Sequence, residues 1–203
     1  MSRKSISTIL IVCVFGMIFT GCVGKKSKFS HEQLAEYCKE QDIDESEDIE
    51  DYMSTAGAAY KTTEGYISCS GKDAQELYDE LVNPVDRLPD LDPVKISACI
   101  YSNKDINGYY QTIIITFENT DDAEKFFKKF PKAFVVEGDD LKKAEGKEKD
   151  YSYNYILSDL ASKSFLDSIY IDGDTVMIIR CYVEYTFMVE DIYKEFDIVS
   201  PFE

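Results

Sequence analysis

Tyr109–Glu118 reads YYQTIIITFE, and the residues after it place Ala123, Phe126, Phe127 and Phe130 at i, i+3, i+4 and i+7. The first run is β-branched and aromatic and predicts a strand. The second puts four apolar side chains on one face of a helix. The pairing occurs twice more. Glu64–Ser70 (EGYISCS) precedes Ala74, Leu77, Tyr78 and Leu81, and Asp174–Tyr185 (DTVMIIRCYVEY) precedes Val189, Ile192, Tyr193 and Phe196. The predicted helices cover residues 72–82, 121–130 and 188–196. Each has the single apolar stripe of a helix that lies on a sheet. The recurrence fits an old duplication, and it equally fits the general requirement for an amphipathic helix after a strand.

The last two strands each have a hairpin partner. Val94–Asn103 leads through residues 104–108, which end in Asn107-Gly108, a pair that tolerates positive φ. Phe165–Ile171 leads through Asp172-Gly173, a strong two-residue hairpin signal. Val176–Ile179 is apolar without alternation, as in a central strand covered on both faces. These units predict an α+β domain: a mainly antiparallel sheet of about six strands, built from β-hairpins and strand–helix units, with amphipathic helices packed on one face.

Ser30 is placed to cap a helix, with Gln33 in the capping-box position and Leu34, Ala35, Tyr37 and Cys38 as its stripe. The lone histidine, His31, falls in the first turn and is expected in solvent, since no sequence neighbour nominates a catalytic partner. Residues 42–51 (DIDESEDIED) form the densest acidic run. A calcium loop starting at Asp42 needs Gly and Glu where Glu47 and Met53 stand, so the run is read as a solvated face with Ile49, Tyr52 and Met53 turned inward. Residues 83–93 hold three of the five prolines and mark a possible internal boundary, while 138–150 reads as a charged, exposed loop. Tyr151, Tyr153 and Tyr155 alternate with polar residues. Such a stripe is either the edge of a core or a possible binding surface.

The amino terminus has its own logic. Arg3 and Lys4 precede an apolar run from Ile6 to Phe19, and the small residues Thr20 and Gly21 stand before Cys22. That is the order of an export signal, and the run is short for a membrane span, which needs roughly 20 apolar residues. Phe19-Thr20-Gly21-Cys22 resembles the lipobox of bacterial lipoproteins, although Phe19 stands where that family usually has an aliphatic residue. The resemblance implies a signal peptide over 1–21, a diacylglyceryl group on the Cys22 sulfur, and a lipid-anchored chain on the extracytoplasmic face of a bacterial cell membrane. Residues 22–29 are then the lipidated cysteine and a short tether, and 30–203 the acidic domain. An uncleaved apolar anchor is the competing reading. From Val23 to Ser30 the tether spans at most about 25 Å.

Composition narrows the partners. With the signal removed, 22 basic residues fall to 20 against 39 acidic ones, a net charge of −19. Nucleic acid is excluded as a partner, because its binding comes from cations that neutralise phosphates. Anionic headgroups also repel such a domain, so the lipid must hold it at the membrane. Cys38, Cys69, Cys99 and Cys181 remain as either two disulfides or buried free thiols. One histidine and no CxxC argue against a metal site, and no motif calls for a cofactor. The expected role is a non-enzymatic module that binds an unidentified protein or small-molecule ligand. The alternative is a cell-envelope enzyme without a recognisable motif. A transport-type solute receptor fits less well, because two-lobed receptors are usually larger.

Overall fold

In a computed structural model describing residues 27–57, 63–84, 87–103, 108–133, 142–160, 163–182 and 187–201, seven strands form one antiparallel sheet. The strands are β1 (Thr63–Ser70), β2 (Pro93–Asn103), β3 (Gly108–Phe117), β4 (Lys142–Lys147), β5 (Ser152–Leu160), β6 (Lys163–Asp172) and β7 (Thr175–Tyr182), in the order β1-β2-β3-β7-β6-β5-β4. The chain lays down β1 to β3 side by side and then crosses the sheet through helix α4 (Thr120–Ala133). It returns strand by strand from the far edge until β7 closes against β3. Cys22 lies outside the described residues. The connector at 83–93 separates two strands that pair directly, β1 and β2, so strands on both sides of it belong to one sheet.

The fold is α+β, as the strand–helix units imply. The helices, however, lie on both faces of the sheet, not one. Alternation along the strands explains this. Ile113, Ile115, Phe117, Val176 and Ile178 point to one face, and Tyr110, Ile114, Met177, Ile179 and Cys181 to the other. A single helical layer would leave one of these sets in water, at about 25 cal/mol for each Å² of apolar surface. Helices α1 (His31–Glu40) and α5 (Phe187–Glu195) cover the second set with Leu34, Tyr37, Cys38, Val189, Ile192 and Tyr193. Helices α2 (Ile49–Gly57), α3 (Lys72–Leu77) and α4 cover the first with Tyr52, Ala74, Leu77, Ala123, Phe126 and Phe130. Helix α3 runs on into a π-helical turn, Tyr78–Val82, that buries Tyr78 and Val82.

Three local expectations change. The loop read at 138–150 contains an edge strand, β4, whose Ala144 and Gly146 stand opposite Tyr155 and Tyr153. Gly146 is required there, because the Tyr153 ring lies against the space a Cβ would take. The neighbouring exposed lysines, Lys143 and Lys147, are what keeps an edge strand soluble. The β6–β7 turn is Gly173-Asp174, one residue later than read, with Gly173 at φ +64 in the first loop position. The face of β5 that carries Ser152 and Asn154 is not an outer face: Ile156 on it is buried, and α4 packs against β5.

Candidate functional site

Residues 28 and 29 fasten the chain to the sheet. The Lys28 amide donates to Asp172 Oδ2 at 2.7 Å, and Lys28 Nζ meets Asp197 Oδ2 at 3.1 Å and sits over the Tyr151 ring. Phe29 is buried against Tyr151 and Tyr170, its ring edge-on to both at about 6 Å. Residues 28 and 29 therefore plug the end of the sheet where the β6–β7 hairpin turns. Ser30 then caps α1 by accepting from the Gln33 amide, as its sequence position implies.

His31 is buried, which corrects the expectation of a solvated residue in the first helical turn. The reason is the strand chemistry beneath it. Ser68, Ser97, Thr116 and Thr175 put small hydroxyls under the helix. His31 Nδ1 lies 2.8 Å from Ser97 Oγ, and Nε2 lies 3.0 Å from Thr116 Oγ1. Ser68 and Ser97 Oγ are 2.8 Å apart across β1 and β2, and Thr116 and Thr175 Oγ1 are 3.0 Å apart across β3 and β7.

The proton order in this chain is fixed from one end. Thr175 Oγ1 donates to Asp174 Oδ1, so it accepts from Thr116, which must in turn accept from His31 Nε2–H. Nδ1 is left as an acceptor for Ser97, and Ser97 accepts from Ser68. Every donor points toward Asp174. The imidazole is held neutral: burial and the nearby Lys95 ammonium take its pKa down to about 4, against a smaller opposing pull from Glu32.

A Ser97–His31 pair looks like nucleophile and base, but its surroundings are wrong for that role. Neither ring nitrogen touches a carboxylate, Ser97 is fully buried, and a histidine this acidic is a poor base at neutral pH. The arrangement pins α1 across four strands.

The tyrosine stripe divides. Tyr151 is buried, and its hydroxyl accepts from the Val199 amide at 2.8 Å. Tyr153 and Tyr155 are half-buried and packed against the α1/α5 core, with the Tyr153 ring 6.3 Å from that of Tyr170. The four cysteines are free. Cys38, Cys99 and Cys181 are buried and Cys69 is half-buried. A hydrogen bond with Cys38, together with burial, holds the Cys99 thiol well above its ordinary value. Burial, aided by Asp167, takes Cys181 to about 12. Thiols shifted in this direction are weak nucleophiles. Among the described residues no His, Cys, Asp or Glu group is arranged to hold a metal, and no helix is long and apolar enough to cross a membrane.

The outer edge of β1 is paired only in part. There the backbone of residues 44–46 adds a single parallel rung. The Tyr66 amide donates to the Asp44 carbonyl at 3.0 Å, and the Ser46 amide donates to the Tyr66 carbonyl at 2.7 Å. The chain then leaves the edge, because Asp48 accepts from the Asp51 amide and starts α2. Beside the rest of the edge lies a groove of about 730 Å³, bounded by residues 67–70 and by the carboxylates of Glu45, Glu47, Asp48, Glu50, Asp73 and Glu76. Among the described residues no lysine or arginine lines it. Inside it burial raises the Cys69 thiol, and the Asp73 and Glu76 carboxylates add to the rise. A second hollow of about 410 Å³, beside α4 and the β6–β7 turn, mixes Lys128, Lys147 and Lys149 with Glu124, Asp150 and Asp172, so its charge cancels.

No family model matches the chain, and neither a curated protein nor a solved structure matches it. The site must therefore be argued from its own chemistry. Sequence reading noted the acidic run but missed the groove, since the contact between residues 45 and 66 is non-local. The local hint is Ile43, one of two isoleucines inside the run, which is buried.

Proposed function

We propose that this chain is a lipid-anchored module on the extracytoplasmic face of a bacterial membrane, and that it works by binding rather than by catalysis. The observation that carries the reading is the spacing between the lipobox-like cysteine and the first fastened residue. Cys22 precedes Lys28 by six positions, a reach of about 20 Å. Export order before Cys22 and a docked Lys28 six positions after it fit a tethered domain, because a long slack linker would let it wander from the surface. The acidic surface supports the same reading, since a domain repelled by headgroups depends on acyl chains for retention.

The polar chemistry inside the domain supports binding over catalysis. His31 is neutral, enclosed and fully bonded, and the buried thiols are shifted away from reactivity. Metabolic labelling with an alkyne fatty acid, followed by fractionation, tests the anchor. The wild-type chain is expected to carry label and to partition with membranes, whereas Cys22→Ala is expected to lose the label. A Cys22→Ala chain that stays full length and membrane-bound would instead establish the uncleaved apolar anchor.

A further inference from the structure

We infer that the open edge of β1 binds an extended, cationic peptide segment by strand addition. This names the partner class for the binder proposed above and rests on that reading.

Tyr66 turns both its N–H and its C=O away from β2, toward residues 44–46. Strand residues two apart present their backbone groups to the same side, so Ser68 also presents its N–H and C=O outward. No described residue takes them up, because the chain that paired with Tyr66 has turned off into α2 by Asp48. The groove lies at this point and is bounded by Ser68 itself. An unpaired edge is a template for another strand, and the rung at Tyr66 shows that this edge accepts a parallel segment in the fold.

Charge selects the occupant. The six groove carboxylates line the edge, from the 45–50 segment and from α3. A strand laid along Ser68 points every second side chain toward the face that α2 and α3 share, so lysines or arginines at those positions meet the groove carboxylates. An acidic or purely apolar strand would be repelled or left without partners.

The test uses the full chain in non-ionic detergent and a short fluorescent peptide in which lysine alternates with threonine. Fluorescence anisotropy is expected to show saturable, salt-weakened binding. The same peptide N-methylated at alternate residues keeps its charge but lacks the pairing amides, and it is expected to bind about tenfold more weakly or worse. The exposed double charge reversal Glu47→Lys with Glu76→Lys is expected to cost about tenfold as well, with an unchanged unfolding midpoint. Equal binding of the methylated and unmethylated peptides would overturn strand addition. Equal binding by wild type and variant, or no binding at all, would overturn the groove. Cross-linking on intact cells separates this inference from the reading beneath it. Partners recovered equally by wild type and variant overturn the groove while the binder stands, and none from either overturns the binder itself.

Discussion

The buried Tyr170 hydroxyl donates to the Val199 carbonyl oxygen at 2.8 Å, while the amide of that same Val199 donates to Tyr151. Two phenols thus hold both backbone groups of one residue, and the segment after α5 is strapped over the aromatic cluster around Phe29. Tyr170→Phe leaves the carbonyl without its donor and is expected to cost about 1–2 kcal/mol in urea unfolding. It should also speed amide exchange at residues 198–200. An unchanged exchange rate there would show that the strap does not depend on this bond.

His31 makes stability depend on pH with a definite sign. Its folded pKa is about 4 against an ordinary 6.5, so the unfolded chain takes up the proton first. Stability is therefore fully present above about pH 6.5 and is lost as pH falls toward 4, by about 3 kcal/mol in all. His31→Gln removes this titration. The stability difference between wild type and variant, from urea unfolding at several pH values, is expected to shrink by that amount between pH 7.5 and 4. Parallel curves would contradict the assignment.

Arg180 and Asp167 face each other across β7 and β6, with Nε 3.0 Å from Oδ1 and the guanidinium over the Phe130 ring. Burial pushes the Asp167 carboxyl up, and Arg180 pulls it back. Arg180→Leu leaves the carboxylate with no cation in a low-dielectric site and is expected to cost about 3–5 kcal/mol. Adding Asp167→Asn should restore much of that loss. If the double variant is no better than the single one, the cost lies in packing against Phe130 instead.

Cys69 offers a reporter for the acidic groove that needs no ligand. Burial is the main cause of its raised pKa, and Asp73 and Glu76 add to it. Asp73→Asn with Glu76→Gln is expected to speed its reaction with iodoacetamide, a neutral reagent, by about two- to fivefold near pH 8. Cys38, Cys99 and Cys181, which are buried, serve as internal controls. An unchanged Cys69 rate would mean that the field at the β1 edge is screened.

Local pattern carried most of the architecture. The stripes at Ala123–Phe130 and Val189–Phe196 lie on helices packed where a strand–helix unit requires, and the unbroken run Val176–Ile179 is covered on both faces. That same run contradicts a single helical layer, and the Ser and Thr residues among apolar neighbours at 97, 116 and 175 were a signal for a buried polar partner. What stayed hidden depends on residues far apart in sequence. His31 meets Ser97 and Thr116 across separations of 66 and 85 residues. The β4 edge, KKAEGK, has no apolar alternation to betray it, because its fit depends on the absence of a side chain at Gly146.

The entry of the chain at Lys28 and Phe29 also decides how the domain carries load. The β6–β7 hairpin lies at the sheet's midline, since β7 is fourth of seven strands. A pull on the amino-terminal tether reaches the Lys28–Asp172 bond and the Phe29 ring before any pair of strands. Drawing one ring out of its socket is a small, local yield, whereas peeling an edge strand would unzip rung after rung. Under the proposed lipid anchor, tension on the amino terminus is therefore absorbed first at this bond and ring, and the sheet with its acidic edge keeps its shape behind it.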